Sequence, residues 1–131
     1  MLNQSPQILL IEGDETLLEI TAFRLELLGY QVVSYDSAER ALEWLKDQLP
    51  STIIVDYVLP GMDGVEFINR LSNDTRTSDV PIMFLSTNGD LEDVQKAYNA
   101  GADEYLVIPY DPLVLEAKVV RLTSSFVPVH A

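Results

Sequence analysis

The sequence contains no cysteine, which excludes disulfides and thiolate metal sites. Its single histidine is His130, next to the last residue, so a Ser/His/Asp triad in the core is excluded. Lysine and arginine number 8 against 21 aspartates and glutamates, for a formal net charge of −13. Because nucleic acids and anionic membranes are bound through Lys and Arg, we expect direct contact with neither.

Long apolar runs are also missing. None approaches the roughly 20 residues that cross a bilayer, and the start MLNQSPQ lacks the features of a secretory signal. We therefore expect a cytoplasmic protein. The 131 residues, 47% of them hydrophobic, suit one globular domain, which we place at 8–123 between a lead (1–7) and a tail (124–131).

Short apolar runs alternate with segments of helical periodicity along this domain. Such alternation is typical of the α/β class, and it predicts a doubly wound, five-stranded parallel sheet with helices on both faces. Asp36 and Glu39 are predicted to form a capping box at the start of the second helix. The predicted strands are 8–11, 31–35, 52–55, 82–85 and 104–107.

Polar residues follow several of these strands. Glu12 to Asp14 follow the first strand, Asp56 ends the third, and Ser86 and Thr87 end the fourth. Ligands of such sheets bind at the carboxyl ends of the strands. Clustered carboxylates there suit Mg²⁺, and beside a cation a carboxylate can attack a phosphoryl group. From its spacing alone, Asp56 is better explained as the start of a turn.

Four stretches resemble the receiver domains of bacterial two-component signalling, of the chemotaxis-regulator type. They are ILLIEGDE, TIIVDYVLPGMDG, PIMFLST and GADEYLVIPYDP. The resemblance spans about residues 8–122, and the run from Asp56 through PGMDG is its most specific part. It implies a flavodoxin-like (βα)5 fold and a signalling module that is not an enzyme. It also implies a histidine kinase or a phosphotransfer protein as partner.

The resemblance also assigns roles to individual residues. Asp56 matches the phosphoacceptor. Ser86 matches the switch hydroxyl that bonds the phosphoryl group, and Tyr105 matches the switch aromatic residue. The carbonyl of Val58 matches a backbone ligand of Mg²⁺, beside the carboxylates of Glu12 and Asp56.

Further residues complete the edge of the expected site. Asp14 and Thr87 are expected at this edge because they lie just after the first and fourth predicted strands. Pro109 matches a proline of the family that often follows a cis peptide bond. The hydroxyl groups could also simply cap turns.

Two positions depart from the family pattern and leave a degenerate acidic pocket. Gly13 stands where the family carries an aspartate that binds the metal, and Ile108 stands where it carries a lysine that contacts the phosphoryl group. We therefore expect weak Mg²⁺ binding, with one carboxylate fewer and no fixed cation. Asp14 is an alternative ligand one residue beyond the gap.

The last helix has apolar residues on two opposite sides, and only one side can pack on the sheet. We predict that the side with Leu115, Val119 and Leu122 is exposed and forms an interface with a second copy or another protein. The alternative is that the C-terminal tail covers it. One stripe comprises Leu113, Ala117 and Val120, and the other comprises Leu115, Val119 and Leu122, which Phe126 would extend.

Three functions remain open at this point. The first is a receiver that is phosphorylated at Asp56. The second is an atypical pseudo-receiver that binds proteins without phosphorylation. The third is a flavin-binding or small catalytic domain of flavodoxin-like fold, which the acidic loop EGDET disfavours because it repels phosphate.

Overall fold

The sheet has five parallel strands in the order β2-β1-β3-β4-β5. The computed structural model describes residues 5–125, and it confirms the doubly wound (βα)5 architecture. The elements are β1 (Gln7–Ile11), α1 (Glu15–Leu27), β2 (Gln31–Tyr35), α2 (Ala38–Leu45), β3 (Thr52–Asp56), α3 (Gly64–Ser72), β4 (Ile82–Ser86), α4 (Leu91–Ala100), β5 (Glu104–Val107) and α5 (Pro112–Ser125).

The central strands are apolar throughout because both faces of the sheet are covered. Successive residues of a strand point to opposite faces, so Leu9 and Ile11 pack beneath α2, α3 and α4, whereas Ile8 and Leu10 pack beneath α1 and α5. All four are fully buried. Full burial of such a side chain contributes about 1.5–3 kcal/mol, which fixes the strands and therefore the edge at which they end.

Two boundaries extend beyond the predicted domain. Gln7, which we placed in the lead, is the first residue of β1, and α5 continues to Ser125, beyond the predicted end at residue 123. Residues 126–131 lie outside the described part of the chain. Within residues 5–125, no helix is long and apolar enough to span a bilayer.

The predicted capping box of α2 is wrong. The N-cap is Ser37, whose Oγ accepts a hydrogen bond from the Arg40 N–H at 3.3 Å. Glu39 does not turn back to the start of the helix. Its Oε2 instead accepts the N–H of Met62 at 2.8 Å, in the loop after β3.

The predicted orientation of α5 is also wrong. Leu115 and Val119 are 0% exposed and Leu122 is 5% exposed, and all three pack in the core beneath α1 and α5. The opposite stripe faces outward, with Leu113 at 72% and Val120 at 51% exposure. Phe126 lies outside the described residues. A protein contact through α5 stays a prediction, and the side chains exposed for it belong to the Leu113 stripe.

Candidate functional site

An open cleft of about 790 Å³ lies at the carboxyl ends of β1 and β3. Its position agrees with the prediction from the strand ends. It brings together the predicted acids, the Val58 loop, Thr87 and both residues of the Ile108–Pro109 bond. The cleft is lined by Glu12, Gly13, Asp14, Leu17, Asp56, Val58, Leu59, Pro60, Thr87, Ile108 and Pro109.

Two carboxyl groups are buried side by side at the floor of this cleft. Residues Ile11 and Val55 are register partners in the paired strands β1 and β3, so Glu12 and Asp56, which follow them, are neighbours. Glu12 is 1% exposed and Asp56 is 6% exposed. Few carboxyl groups are so deeply buried without a cationic partner.

The surroundings of Glu12 favour its neutral form. Burial, a hydrogen bond with Asp56 and the charge of Asp56 raise its pKa from 4.5 to about 8, against the opposing effect of the Asp14 N–H. That N–H donates to Oε2 at 3.0 Å. While Glu12 is ionised, its Oε1 has no hydrogen-bond partner among the described residues, because a carboxylate has no hydrogen to donate to Asp56. A proton on Glu12 lets it donate to Asp56.

The orphaned oxygen can be satisfied by a proton or by a cation. Mg²⁺ prefers oxygen ligands and usually keeps several waters while binding one or two carboxylates. Glu12, Asp56 and the Val58 carbonyl fit such an ion. No group of three or more His, Cys, Asp or Glu residues suited to a metal occurs within residues 5–125, so the set is small.

Asp14 caps the helix that follows it. Its Oδ1 accepts the N–H of Leu17 at 2.9 Å and caps the N-terminus of α1. The residue is exposed at the rim of the cleft. Capping at this position typically stabilises a helix by about 1 kcal/mol, so this contact competes with a role of Asp14 as a metal ligand, which stays a prediction.

The gap at Gly13 is occupied by neighbouring backbone. A Cβ atom at this position would lie 3.3 Å from the Val58 carbonyl oxygen and 3.4 Å from Cδ of Pro60. The loop of residues 57–63, which we call the β3–α3 loop, therefore approaches Gly13 more closely than most side chains allow. An aspartate here requires the loop to move by a few tenths of an ångström.

Ile108 belongs to the core as well as to the cleft. It is 7% exposed and packs with Leu115 and Val119 beneath α5. Its peptide bond to Pro109 is cis, as the resemblance implied. None of the described residues that line the cleft is a lysine or an arginine, so the acids have no basic neighbour there.

Ser86 and Tyr105 meet at Asn88, a residue that the sequence analysis missed. The Asn88 N–H donates to Ser86 Oγ at 3.1 Å, and the Tyr105 hydroxyl donates to the Asn88 carbonyl. Both predicted switch residues are buried in a small pocket beside the main cleft. Asn before Gly is a common turn signal, but the contact with Tyr105 joins residues 17 positions apart.

Three aromatic rings connect the predicted phosphoacceptor Asp56 with the predicted switch residue Tyr105. Tyr57 follows Asp56 and lies 5.9 Å from the ring of Phe84, which lies 5.7 Å from the ring of Tyr105. Tilted pairs at such distances are favourable. They hold Tyr105 in its inward position, where its hydroxyl reaches the loop after β4.

Comparison with known proteins identifies the same fold and family. Residues 8–120 match the family described as response regulator receiver domain. The chain is 31% identical over 123 residues to the phosphate regulon transcriptional regulatory protein PhoB of Escherichia coli (strain K12), covering 94% of this chain and 54% of that protein. The chain thus spans about half the length of this curated relative.

Solved structures give the same result. The signal receiver domain of a histidine kinase from Syntrophus aciditrophicus has a TM-score of 0.86 and 30% identity, covering 92% of each chain. The receiver domain of the sensor histidine kinase PA1611 from Pseudomonas aeruginosa PAO1 has a TM-score of 0.85 and 25% identity, over 92% of this chain and 99% of that one. The latter holds a magnesium ion in its active-site cleft.

Proposed function

Because the chain belongs to the response regulator receiver domain family, we propose that Asp56 is the residue that accepts a phosphoryl group from a histidine kinase or a phosphotransfer protein. One observation carries the proposal. Asp56 is a nearly buried carboxylate at the end of β3, beside a second carboxyl group and open to a cleft at the carboxyl edge. This is where doubly wound folds bind their ligands.

The transfer is a displacement at phosphorus. One oxygen of Asp56, Oδ1, accepts the Val58 N–H at 3.3 Å, and the other attacks the phosphorus of a phosphohistidine. The new P–O bond forms as the P–N bond breaks, and the electron pair of that bond stays on the histidine nitrogen. Ser86 Oγ already accepts the Asn88 N–H, so its own hydrogen is available for a phosphoryl oxygen.

Charge neutralisation is the weak part of this site. Phosphoryl transfer depends on positioning and on positive charge near the phosphoryl oxygens. Magnesium held by Glu12, Asp56 and the Val58 carbonyl would supply that charge. Since Gly13 gives no carboxylate and Ile108 no cation, we infer that magnesium binding is weak and phosphorylation slow.

Restoring the missing acid should strengthen metal binding. We expect Gly13→Asp to raise the affinity for Mg²⁺ by about tenfold or more, because a third carboxylate adds charge and an oxygen ligand. Calorimetric titration measures this change. The matched control is Gly13→Ala, which adds the same Cβ without the carboxylate. Equal affinities of the two variants would contradict the prediction.

Phosphorylation itself is tested with a small donor. Incubation with acetyl phosphate and Mg²⁺ should add the mass of one phosphoryl group to the chain, and Asp56→Asn should abolish the addition. The lack of a lysine and of a third acid favours the second candidate, a pseudo-receiver that binds partners without phosphorylation. No mass change with this donor and no response to beryllofluoride would select that candidate.

A further inference from the structure

A side chain of α2 binds the backbone of the β3–α3 loop. Glu39 lies on the exposed side of α2, 23 positions before Met62, yet its Oε2 accepts the Met62 N–H at 2.8 Å. This hydrogen bond is the first cause of the lowered pKa of Glu39. A bond to an ionised carboxylate contributes more than one between neutral groups.

The loop is shaped to receive this carboxylate. Gly61 has a φ of +74°, and a Cβ atom there would lie only 2.5 Å from Glu39 Oε2. The side chain of Met62 packs against the core beneath α2, α3 and α4. The contact therefore depends on a glycine in the left-handed region and on an apolar anchor beside it.

The other side of the same loop forms the wall of the cleft. The Val58 carbonyl and Pro60 close on Gly13 at 3.3 and 3.4 Å from the position of a Cβ atom. The loop is thus held between α2 and the end of β1. Leu59, which lies between the two contacts, is buried in the core, so a shift of the loop at one contact also displaces it at the other.

We propose that Glu39 is a positioning residue of the phosphoacceptor site, which sets the place of the Val58 carbonyl by holding the β3–α3 loop against Gly13. The inference rests on the proposed magnesium site. Glu39 is not among the residues that line the cleft. Its role is to preorganise a ligand, as the outer partners of metal sites commonly do.

The effect of losing this contact should depend on residue 13. In the natural chain, Glu39→Ala loosens the Val58 carbonyl and should lower Mg²⁺ affinity about threefold. In Gly13→Asp, the loop has to yield to the new side chain. There the loss of Glu39 should raise affinity by a similar factor. Glu39→Gln keeps an acceptor for the Met62 N–H and should stay close to the parent in both backgrounds.

The matched control is Glu43→Ala, which removes the same charge from the same helix. Glu43 lies one turn further along α2 and its carboxylate contacts Lys46 at 2.9 Å. This variant should leave Mg²⁺ affinity unchanged within a factor of about two. An equal response to both alanine variants would mean that net charge is responsible, and it would overturn the proposal.

Two measurements separate this inference from the proposed function. Hydrogen exchange of the Met62 amide should speed up about tenfold in Glu39→Ala and not in Glu43→Ala. Calorimetry in the Gly13→Asp background then tests the link to the cleft, even if the natural chain binds no Mg²⁺. An unchanged exchange rate of the Met62 amide, or a Glu39→Ala effect of the same size and sign in both backgrounds, would overturn the proposal.

Discussion

Val119→Asp should unfold the domain, whereas Val120→Asp should leave it folded. Val119 is fully buried against the sheet and Val120 is 51% exposed. An unpaired charge in a core destabilises by about 3–5 kcal/mol, and the lost apolar contacts add to this. The total approaches the stability of a small domain, about 5–15 kcal/mol.

The two valines form a matched pair. They are neighbours on α5, so the change in helix propensity and in net charge is the same for both. Urea unfolding followed by circular dichroism measures the difference. Val120→Asp should shift the free energy of unfolding by no more than about 0.5 kcal/mol. If both variants unfold at the same urea concentration, the assigned orientation of α5 is wrong.

Glu12→Gln should make the magnesium-free domain more stable at pH 8 but not at pH 5. The pKa of Glu12 is about 8 in the folded chain and 4.5 for the ordinary group. Between these values the folded chain keeps a proton that the unfolded chain releases. Stability therefore falls as the pH rises through this window, by at most about 1.4 kcal/mol per pH unit.

Glutamine removes this dependence because its amide imitates the protonated acid. Its NH₂ group can donate to Asp56, and its carbonyl oxygen can accept the Asp14 N–H. The gain over the natural chain should reach roughly 3 kcal/mol at pH 8. Urea unfolding at several pH values, with a chelator present, gives the two stability curves.

The range from pH 5 upward isolates Glu12 from other acids with shifted pKa values. Glu39 and Glu104 both have lowered pKa values. Glu39 accepts the Met62 N–H. Burial raises the pKa of Glu104, but Lys118 and Arg121 stabilise its ionised form and lower the pKa overall. Both groups titrate mostly below pH 5, so their contributions to stability change little above it. Glu19→Gln, at an exposed site on α1, controls for net charge. Parallel curves for Glu12→Gln and the natural chain would refute the assignment.

The sequence could predict the strands and the location of the site because both follow from local patterns. A strand buried on both faces needs an apolar run, such as residues 8–11, and a polar group just after it lies at the carboxyl edge. Glu12 and Asp56 were found in this way. The identity of the site still depended on the resemblance, since an aspartate at a strand end also fits an ordinary turn.

The orientation of α5 could not be predicted from its pattern. The Leu113 stripe and the Leu115 stripe have similar apolar character and the same helical spacing. The choice between them depends on how the helix lies over Ile8 and Leu10, which is a tertiary contact. A pattern that is apolar on two sides gives no preference.

The roles of Asn88 and Glu39 were missed for a related reason. Both depend on hydrogen bonds between distant parts of the chain, Asn88 with Tyr105 and Glu39 with Met62. Local rules gave Glu39 a place in a capping box that Ser37 fills by itself. Charged residues on exposed helix surfaces can reach loops that a single sequence does not place beside them.

The absence of lysine and arginine from the cleft has a consequence for the kinetics of encounter. Every charged side chain that lines it is negative, so its field repels a free anionic phosphodonor as it approaches. Added salt slows encounters between opposite charges, but it should speed this one by screening the repulsion. A protein donor with a basic surface around its phosphohistidine offsets the same field. The presence of Ile108 instead of a lysine would therefore favour protein donors with a basic surface over small anionic donors.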